Sequence, residues 1–307
     1  MSKTVLVATE KPFAKAAVDG IKKILDDAGY TLVLLESYTD KADLLKAVEG
    51  VDALIIRSDM VTEEVIAAGK NLKIVVRAGA GYDNVDCAAA TKADVTVMNT
   101  PGQNSNAVAE LAFGMMLNLA RKNYSGKAGT ELRGKTIGIH AYGNIGRIVA
   151  VIAKGFGMTV KAFDPFVDKS AIEADGVEAV DSIEALYSSC DYVSLHIPAT
   201  AQTKKSINYD LLSKMKAGAA LINTARKEVI DEDGLIKAMT ERTDLLFGSD
   251  LTPDCLAELT DKAGDRVFVT AKKMGAQTAE ANINAGLAAA SQIVDFFEKG
   301  DAKFKVN

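Results

Sequence analysis

Residues 135–164, with the sequence KTIGIHAYGNIGRIVAVIAKGFGMTVKAFD, contain the pattern that decides the fold of this 307-residue chain. Lys135 to His140 is an apolar, β-branched run of the kind that forms a strand, and a turn with two glycines follows it. The apolar residues after the turn recur at helical spacing: Ile145, Val149, Ile152 and Ala153. A second strand is predicted from Met158 to Phe163, with Asp164 directly after it. This order of strand, glycine turn, helix, strand and acid is typical of a dinucleotide-binding βαβ unit.

The turn and the acid together predict the cofactor. A helix N-terminus offers N–H groups and partial positive charge to a pyrophosphate, and glycines let the phosphates approach the backbone. Asp164 can accept hydrogen bonds from both ribose hydroxyls of adenosine and would repel the 2′-phosphate of NADP, so NAD is the predicted cofactor. Ala141 stands where the GxGxxG pattern has its first glycine, which leaves open an ordinary turn whose glycines serve only packing. The turn residues predicted to bind the cofactor are Tyr142, Gly143, Asn144, Ile145 and Gly146.

Composition limits the partners and the compartment. The net charge is −5 and the chain has no Lys/Arg-rich run, so nucleic acid is not an expected partner. No apolar stretch reaches the roughly 20 residues of a membrane span, and the N-terminus reads as a first strand rather than a signal peptide. Three scattered cysteines without CxxC spacing predict reduced thiols in the cytoplasm, and with only two histidines no zinc site is expected.

Strand and helix signals alternate along the whole chain and predict two α/β domains. Strands are predicted in the first hundred residues at 3–8, 31–36, 53–57, 73–76 and 95–98, and later at 192–196, 219–223, 245–249 and 267–270. Long helices are predicted from Asn104 to Asn123 and at about 279–298. We therefore predict two doubly wound parallel-sheet domains: a flavodoxin-like domain of residues 1–99 and 284–307, and a Rossmann domain of residues 100–283, with the active site in a cleft between them.

A set of short strings, in this order, resembles the D-isomer-specific 2-hydroxyacid dehydrogenases along nearly the whole chain. They are RSD at 57–59, VRAGAGYDNVD at 76–86, NTPGQNS at 99–105, VAE at 108–110, LHIP at 195–198 and INTAR at 222–226. Within that family the resemblance is strongest to the members that oxidise D-3-phosphoglycerate, in a short form without an appended regulatory domain. It implies that His196, Pro198, Thr224 and Asp250 line the cofactor.

Oxidation of a 2-hydroxy acid needs a cation on the carboxylate and the reacting oxygen, and the resemblance assigns this role to Arg226. The loop of Gly79, Ala80 and Gly81 is expected to hold the substrate carboxylate through its N–H groups, although a tight turn alone would also need these glycines. Arg57 and Arg77 each end a predicted strand, and two arginines at one edge favour a phosphate ligand. The alternative is two solvated or salt-bridged arginines. Further hydrogen bonds to the substrate are expected from Ser58, Asn104 and Ser105.

The chain departs from the family where the acid/base residue is expected. The family has histidine in a Pro-His-x-Gly string, and here TAKKMGAQT at 270–278 places Lys273 at that position. A free lysine is protonated at neutral pH, so partial burial beside positive charges is expected to lower the pKa of Lys273. The alternative is a solvated Lys273, with water or His196 handling the proton. The glutamate that orients the family's histidine is also replaced, and Asp254, beside Cys255, is the predicted substitute.

These residues predict NAD-dependent oxidation of D-3-phosphoglycerate to 3-phosphohydroxypyruvate, the first step of serine synthesis. One alternative is a reductase of glyoxylate, hydroxypyruvate or another 2-keto acid. Another, of a different class, is an NAD(H)-sensing binding protein similar to some transcriptional corepressors. A homodimer is expected, because the Ala- and Met-rich helix from Asn104 carries more apolar surface than a crossover needs.

Overall fold

The computed structural model describes residues 2–307, which form two compact units. The first unit comprises residues 2–104 and 277–307, and the second unit comprises residues 105–276. The structure therefore divides the chain after Asn104 and Ala276. The sequence pattern predicted the division after residues 99 and 283. Among the described residues, no helix combines the length and the apolar character that crossing a membrane requires.

The first unit has a five-stranded parallel sheet in the order β2-β1-β3-β4-β5. Its strands are β1 (Thr4–Thr9), β2 (Thr31–Glu36), β3 (Ala53–Ile56), β4 (Ile74–Arg77) and β5 (Thr96–Asn99). The helices between them are α1 (Lys15–Asp27), α2 (Lys41–Val48), α3 (Glu63–Ala68) and α4 (Cys87–Lys92). The central strands are buried apolar runs, as expected for a sheet covered on both faces.

The second unit has a seven-stranded parallel sheet in the order β12-β11-β10-β9-β6-β7-β8. Its helices are α5 (Ser105–Ala120), α6 (Asn144–Gly155), α7 (Lys169–Ala174), α8 (Ile183–Ser189), α9 (Tyr209–Ser213), α10 (Glu232–Glu241) and α11 (Leu256–Ala263). Its strands are β6 (Thr136–His140), β7 (Thr159–Phe163), β8 (Glu178–Ala179), β9 (Tyr192–Leu195), β10 (Ala220–Asn223), β11 (Leu246–Ser249) and β12 (Val267–Val269). The two parallel α/β sheets confirm the predicted fold class.

Helix α12 (Ala279–Lys299) returns to the first unit and packs on α1. Thr278 caps its start by accepting the N–H of Ala281 at 3.1 Å, and Gly300 ends it in the left-handed conformation. The buried face of α12 is built largely from alanine, so the two helices can approach closely. This packing explains why residues 277–283, which the sequence pattern placed in the second domain, belong to the first unit.

The predicted end of the long helix at Asn123 is wrong, because α5 stops at Ala120. Lys122, Asn123 and Tyr124 all have φ between 51° and 54°, a left-handed conformation that an α-helix cannot contain. The Asn123 amide holds this turn: it accepts a hydrogen bond from Asn118 and donates one to the carbonyl of Asp265, each at 2.8 Å. None of these three positions is a glycine or proline, the residues that would have predicted the end of the helix.

Candidate functional site

The glycine turn lies between β6 and α6 and presents backbone to the carboxyl edge of the sheet. A Cβ on Gly146 would stand 2.4 Å from the carbonyl oxygen of Ala141, so only glycine allows the helix to come this close to the strand. Gly143 caps the helix, and a Cβ on it would meet no atom within 4 Å. One glycine therefore serves packing, and the other faces open space at a helix N-terminus where a phosphate can approach.

Ala141 adopts the conformation of the glycine that it replaces, with a φ of 82°. Its N–H donates to the carbonyl of Phe163 at 2.9 Å, and the next N–H, of Tyr142, donates to Oδ2 of Asp164 at 2.7 Å. These bonds join the end of β6 to the end of β7. Ala141 therefore preserves the geometry of the turn, although its backbone conformation is strained for a residue other than glycine.

Asp164 is half-buried at the end of β7, beside the turn. Its Oδ2 accepts the N–H of Tyr142, and its Oδ1 accepts the N–H of Phe166 at 2.8 Å. Each carboxylate oxygen can accept more than one hydrogen bond, so acceptor capacity remains for ribose hydroxyls. The two backbone donors fix the orientation of the carboxylate before any ligand binds.

The side chain of Tyr142 points into the second unit rather than to open space. It is 1% exposed, and its hydroxyl donates to Oδ2 of Asp175 at 3.1 Å. Burial, followed by this hydrogen bond, raises the pKa of Tyr142 to about 12. Arg147 lies over the tyrosine ring and forms an ion pair with Asp175. Tyr142 can therefore serve the predicted site through its backbone, while its side chain anchors the turn.

Polar atoms without partners lie at or just after the ends of three neighbouring strands, β9, β10 and β11. Within the described residues, these buried atoms have no hydrogen-bond partner: Ser194 Oγ, both ring nitrogens of His196, Thr224 Oγ1 and Asp250 Oδ1. Buried polar atoms are normally satisfied, so unpaired ones at this edge indicate a place for a polar ligand. Together with the open Gly143, they show that the residues present fit a dinucleotide.

Neither histidine has the properties of a base at neutral pH. Burial, and then the neighbouring His140, lowers the pKa of His196 to about 3. Burial lowers the pKa of His140 to about 4, and its Nδ1 lies 3.3 Å from the hydroxyl of Tyr187. Both imidazoles are therefore neutral in the physiological range, which argues against either of them as the base.

Lys273 lies on the loop after β12 and is exposed, so the expected partial burial of this side chain is wrong. The residues after it are tied down, because Oδ2 of Asp250 accepts the N–H of Met274 at 3.2 Å and that of Gly275 at 2.7 Å. A Cβ on Gly275 would stand only 3.0 Å from the same oxygen. Asp250, which is fully buried, therefore fixes the backbone next to Lys273.

Arg226 follows β10 at the carboxyl edge of the second sheet. Its Nη1 donates to the carbonyl of Ala225 at 2.8 Å. The Asn223 amide braces the same turn, because it donates to the carbonyl of Arg226 and accepts the N–H of Ala225, each at 3.0 Å. The side chain is half-buried, which leaves part of the guanidinium for a ligand.

Asp254 has an 80% exposed side chain and forms an ion pair with Lys227 at 2.8 Å. This hydrogen bond to Asp254 raises the pKa of Lys227. Lys227 thus binds the carboxylate that was expected to orient Lys273. The carboxylate of Glu232 accepts the N–H groups of Asp254 and Cys255 at 3.0 and 2.8 Å. Sequence reasoning missed Glu232, whose only signal was its position in the acidic first turn of α10.

The predicted carboxylate-binding loop in the first unit follows β4. Gly79 is buried with a φ of 147°, a conformation that only glycine adopts readily. Its carbonyl accepts the N–H of Thr100 at 2.9 Å, and the carbonyl of Ala80 accepts the side-chain amide of Asn99 at 2.6 Å. The loop is fixed through its carbonyl groups, and the guanidinium of Arg77 lies against Gly79.

Arg57 follows β3, the neighbour of β4, so the structure brings the two predicted phosphate ligands to adjacent strand ends. Its Nη1 donates to the carbonyls of Lys11 and Pro12 at 3.1 and 3.2 Å, and its Nη2 donates to Oδ1 of Asn282 at 2.5 Å. The guanidinium also lies over the ring of Phe13. Burial lowers the pKa of Arg57. The side chain is thus held in one place by the loop after β1 and by the first turn of α12.

The remaining predicted substrate residues lie after β3 and β5. Ser58 is exposed beside Arg57. Asn104 is half-buried in the turn after β5, and Ser105 is 2% exposed at the start of α5. Asn104 and Ser105 fall on either side of the boundary between the two units. Their roles toward a substrate stay predictions.

The comparisons with known proteins agree with this geometry. Residues 107–254 match the family model described as the NAD binding domain of D-isomer specific 2-hydroxyacid dehydrogenases. The chain is 37% identical over 275 residues to hydroxypyruvate reductase of Thermotoga maritima, with 83% of this chain and 88% of the relative covered. It is 38% identical over 284 residues to D-3-phosphoglycerate dehydrogenase of Synechocystis, with 87% of this chain covered but only 50% of the relative, about half its length. The crystal structure of NAD⁺-bound 3-phosphoglycerate dehydrogenase of Entamoeba histolytica superimposes with a TM-score of 0.87 at 47% identity, covering 100% of this chain and 99% of that one.

Fold, glycine turn and carboxylate define an NAD-binding protein built from two parallel α/β units. The chain belongs to the D-isomer-specific 2-hydroxyacid dehydrogenase family. NAD is its cofactor, and its reaction class is the NAD-dependent dehydrogenation of 2-hydroxy acids.

Proposed function

We propose that this chain oxidises D-3-phosphoglycerate to 3-phosphohydroxypyruvate, the entry reaction of serine synthesis. The observation that carries the proposal is the position of Arg57 and Arg77 at the ends of adjacent parallel strands. Paired guanidinium groups suit a phosphate dianion, and a smaller 2-hydroxy acid has no group that would use both. The similarity to 3-phosphoglycerate dehydrogenases of Entamoeba histolytica and Synechocystis supports this choice.

The substrate carboxylate is assigned to the loop of Gly79, Ala80 and Gly81. The carbonyls of Gly79 and Ala80 accept hydrogen bonds from Thr100 and Asn99, which fix the loop, and its backbone N–H groups are the donors that can bind an anion. Arg226 is assigned to the substrate carboxylate and to the oxygen on C2, where its positive charge stabilises the alkoxide that forms. Ser58, Asn104 and Ser105 are assigned to further hydrogen bonds with the substrate.

Asp164 and the turn from Tyr142 to Gly146 are assigned to the adenosine ribose and the pyrophosphate. Thr224, Asp250, His196 and Pro198 are assigned to the other half of the dinucleotide. When bound, NAD supplies the acceptor for the hydride on C2. The partnerless Thr224 Oγ1 and Asp250 Oδ1 support this arrangement, because a polar ligand would satisfy them.

Lys273 is assigned to the proton. In the direction of reduction, its ammonium group donates a proton to the oxygen on C2 and stabilises the charge that develops there. In the direction of oxidation, the neutral amine must accept that proton, so the rate rises as the pH becomes alkaline. Asp254 remains the proposed carboxylate of this relay, acting within its ion pair with Lys227.

One assay tests the proposal against its competitors. NADH formation is followed with D-3-phosphoglycerate and D-glycerate, and NADH consumption with hydroxypyruvate and glyoxylate. We expect D-3-phosphoglycerate to have the highest kcat/KM. A higher kcat/KM for hydroxypyruvate would favour a reductase, the function named for the Thermotoga maritima relative. NADH binding without turnover of any of these acids would favour a sensing protein.

We also propose that the chain acts as a homodimer in the cytoplasm. Two apolar side chains are exposed near α5 and α6 of the second unit: Val151 is 71% exposed, and Phe156, stacked on Phe113 of α5, is 37% exposed. Such exposure suits a surface covered by a second copy of the chain. The three cysteines are free, which fits a reducing compartment. Light scattering at micromolar concentration tests the dimer, and a monomer would contradict it.

A further inference from the structure

Asp59 is a buried carboxylate in the first unit that no assigned role uses. It is 3% exposed and lies two residues after Arg57. Its Oδ1 accepts the N–H of Glu10 at 2.6 Å and the hydroxyl of Tyr38 at 3.1 Å, and its Oδ2 accepts the N–H of Arg57 at 3.1 Å. One side chain therefore joins the segments that follow β1, β2 and β3. A buried carboxylate is retained only where such donors compensate for its lost hydration.

The carboxylate of Asp59 holds both Arg57 and the loop whose carbonyls bind the Arg57 guanidinium. Asp59 holds Glu10 at the start of the loop, and the Arg57 guanidinium binds the carbonyls of the next two residues, Lys11 and Pro12. The same carboxylate binds the backbone of Arg57 itself. Because Asp59 anchors both the backbone of Arg57 and the loop that binds its guanidinium, a shift of Asp59 is expected to move the guanidinium.

Asn84 holds the same turn from the opposite side. The side-chain amide of Asn84 donates to the backbone carbonyls of Arg57 and Asp59 at 3.3 and 2.7 Å. The backbone carbonyl of Asn84 accepts the N–H of Val61 at 2.9 Å. The turn from Arg57 to Val61 is therefore clamped by a carboxylate that accepts and an amide that donates.

We propose that Asp59 is a positioning residue that sets the geometry of Arg57 for the phosphate of the substrate. The inference rests on the proposed function, in which Arg57 is a phosphate ligand. Asp59 acts through Arg57 and touches no reacting atom. Its removal is expected to weaken discrimination for the phosphate while it leaves turnover of a phosphate-free substrate largely intact.

The test measures phosphate discrimination, defined as kcat/KM for D-3-phosphoglycerate divided by kcat/KM for D-glycerate. Asp59→Asn cannot accept all three donors, because one carboxylate oxygen becomes a donating amide. We expect this variant to lower the discrimination about tenfold, the scale of one hydrogen bond to a charged group. Tyr38→Phe is the matched control, because it removes one donor to the same carboxylate and leaves both backbone N–H groups bound. Its discrimination should stay close to that of the wild type.

Arg57→Ala is made in the wild type and in Asp59→Asn. The comparison distinguishes a failure of the inference from a failure of the proposed function on which it rests. If Asp59 acts through Arg57, Asp59→Asn has no further effect on discrimination once Arg57 is alanine. An equal effect in both backgrounds, or an equal loss for both substrates, overturns the positioning role. Unchanged discrimination in Arg57→Ala alone instead refutes the assignment of Arg57 as a phosphate ligand, which is a failure of the proposed function.

Asn84→Ala keeps the inference testable if Asp59→Asn does not fold. This variant releases the carbonyls of Arg57 and Asp59 but leaves the buried carboxylate with its three donors. We expect discrimination to fall about threefold, with the melting temperature and NADH affinity near those of the wild type. Because Asp59 is proposed to act on Arg57 through this turn, wild-type discrimination in Asn84→Ala, where the turn is released on one side, would overturn the inference.

Discussion

The guanidinium of Arg77 occupies the space that a side chain on Gly79 would need. A Cβ built on Gly79 would stand 1.5 Å from Nη1 and 2.7 Å from Cζ of Arg77. The proposed phosphate ligand and the proposed carboxylate-binding loop are therefore in direct contact. A change in one of them must displace the other.

Gly79→Ala is the first prediction that follows from this contact. The methyl group displaces the Arg77 side chain, and a φ of 147° costs a non-glycine residue roughly 1–3 kcal/mol. We expect the KM for D-3-phosphoglycerate to rise at least tenfold and the melting temperature to fall, while the Kd for NADH stays constant. Gly50→Ala is the control, because nothing lies within 4 Å of its Cβ position. An unchanged KM in Gly79→Ala would show that the loop and Arg77 do not bind substrate.

Asp164 combines two tasks, and its replacement should affect both. Asp164→Ala removes the acceptor proposed for the ribose and also frees the N–H groups of Tyr142 and Phe166. We expect the affinity for NADH to weaken by about 1.5–3 kcal/mol, as for a lost hydrogen bond to a charged group, and the preference for NADH over NADPH to become smaller. Fluorescence titrations with both reduced cofactors measure this. Asp168→Ala, which replaces an exposed acid on the same segment, should leave both affinities unchanged. Equal or tighter binding of NADPH than of NADH by the wild type would refute the role of Asp164.

The neutral histidines predict a loss of stability in acid. His140 and His196 have pKa values of about 4 and 3 in the folded chain, while a histidine in the unfolded chain titrates near 6.5. Between these values the unfolded state binds more protons, so the free energy of unfolding falls as the pH drops below about 6.5. As the pH falls through that window, each histidine lowers the free energy of unfolding by about 1.4 kcal/mol per pH unit, and above the window it has no effect.

Urea unfolding of the wild type and of His140→Gln at pH 7.0 and 5.0 measures this contribution. Acidic residues also titrate near pH 5, so the comparison between the two proteins isolates the histidine. We expect the wild type to lose about 2 kcal/mol more than the variant over this interval. Equal losses in both proteins would mean that His140 is not held neutral.

Some features of this molecule follow from the sequence pattern, and others depend on contacts that no pattern displays. Buried apolar runs such as Leu6–Ala8 and Ala220–Ile222 predict central parallel strands, and the structure has strands there. Strand β8 escaped prediction, because two residues that pair with Lys161 and Ala162 leave no periodicity to detect.

The same distinction applies to the residues of the candidate site: some are recognisable from the sequence pattern, and others depend on contacts in the folded chain. The glycine turn and Asp164 are recognisable because a phosphate and a ribose demand particular residues at a particular spacing. Asp59 is not recognisable in this way, because its donors come from Glu10, Tyr38 and Arg57, which meet only in the folded sheet. The burial of Lys273 was misjudged, and the sequence also does not display the hydrogen bonds from Met274 and Gly275 to Asp250 that hold the backbone after it.

Lys273 carries the last prediction, since it stands where the family has its acid/base histidine. Lys273→Ala should lower kcat roughly 10²–10⁴-fold, the range for loss of a general acid or base, with NADH affinity near that of the wild type. Lys272→Ala is the matched control, because it removes an exposed ammonium one residue away on the same loop and should retain most of the activity. Lys273→His should recover part of the lost activity and move the optimum for oxidation to lower pH, because an imidazole is neutral at a lower pH than an amine. Steady-state kinetics between pH 6 and 10 measure these changes. Wild-type turnover in Lys273→Ala, together with a folded but inactive His196→Ala, would transfer the proton step from the lysine to His196.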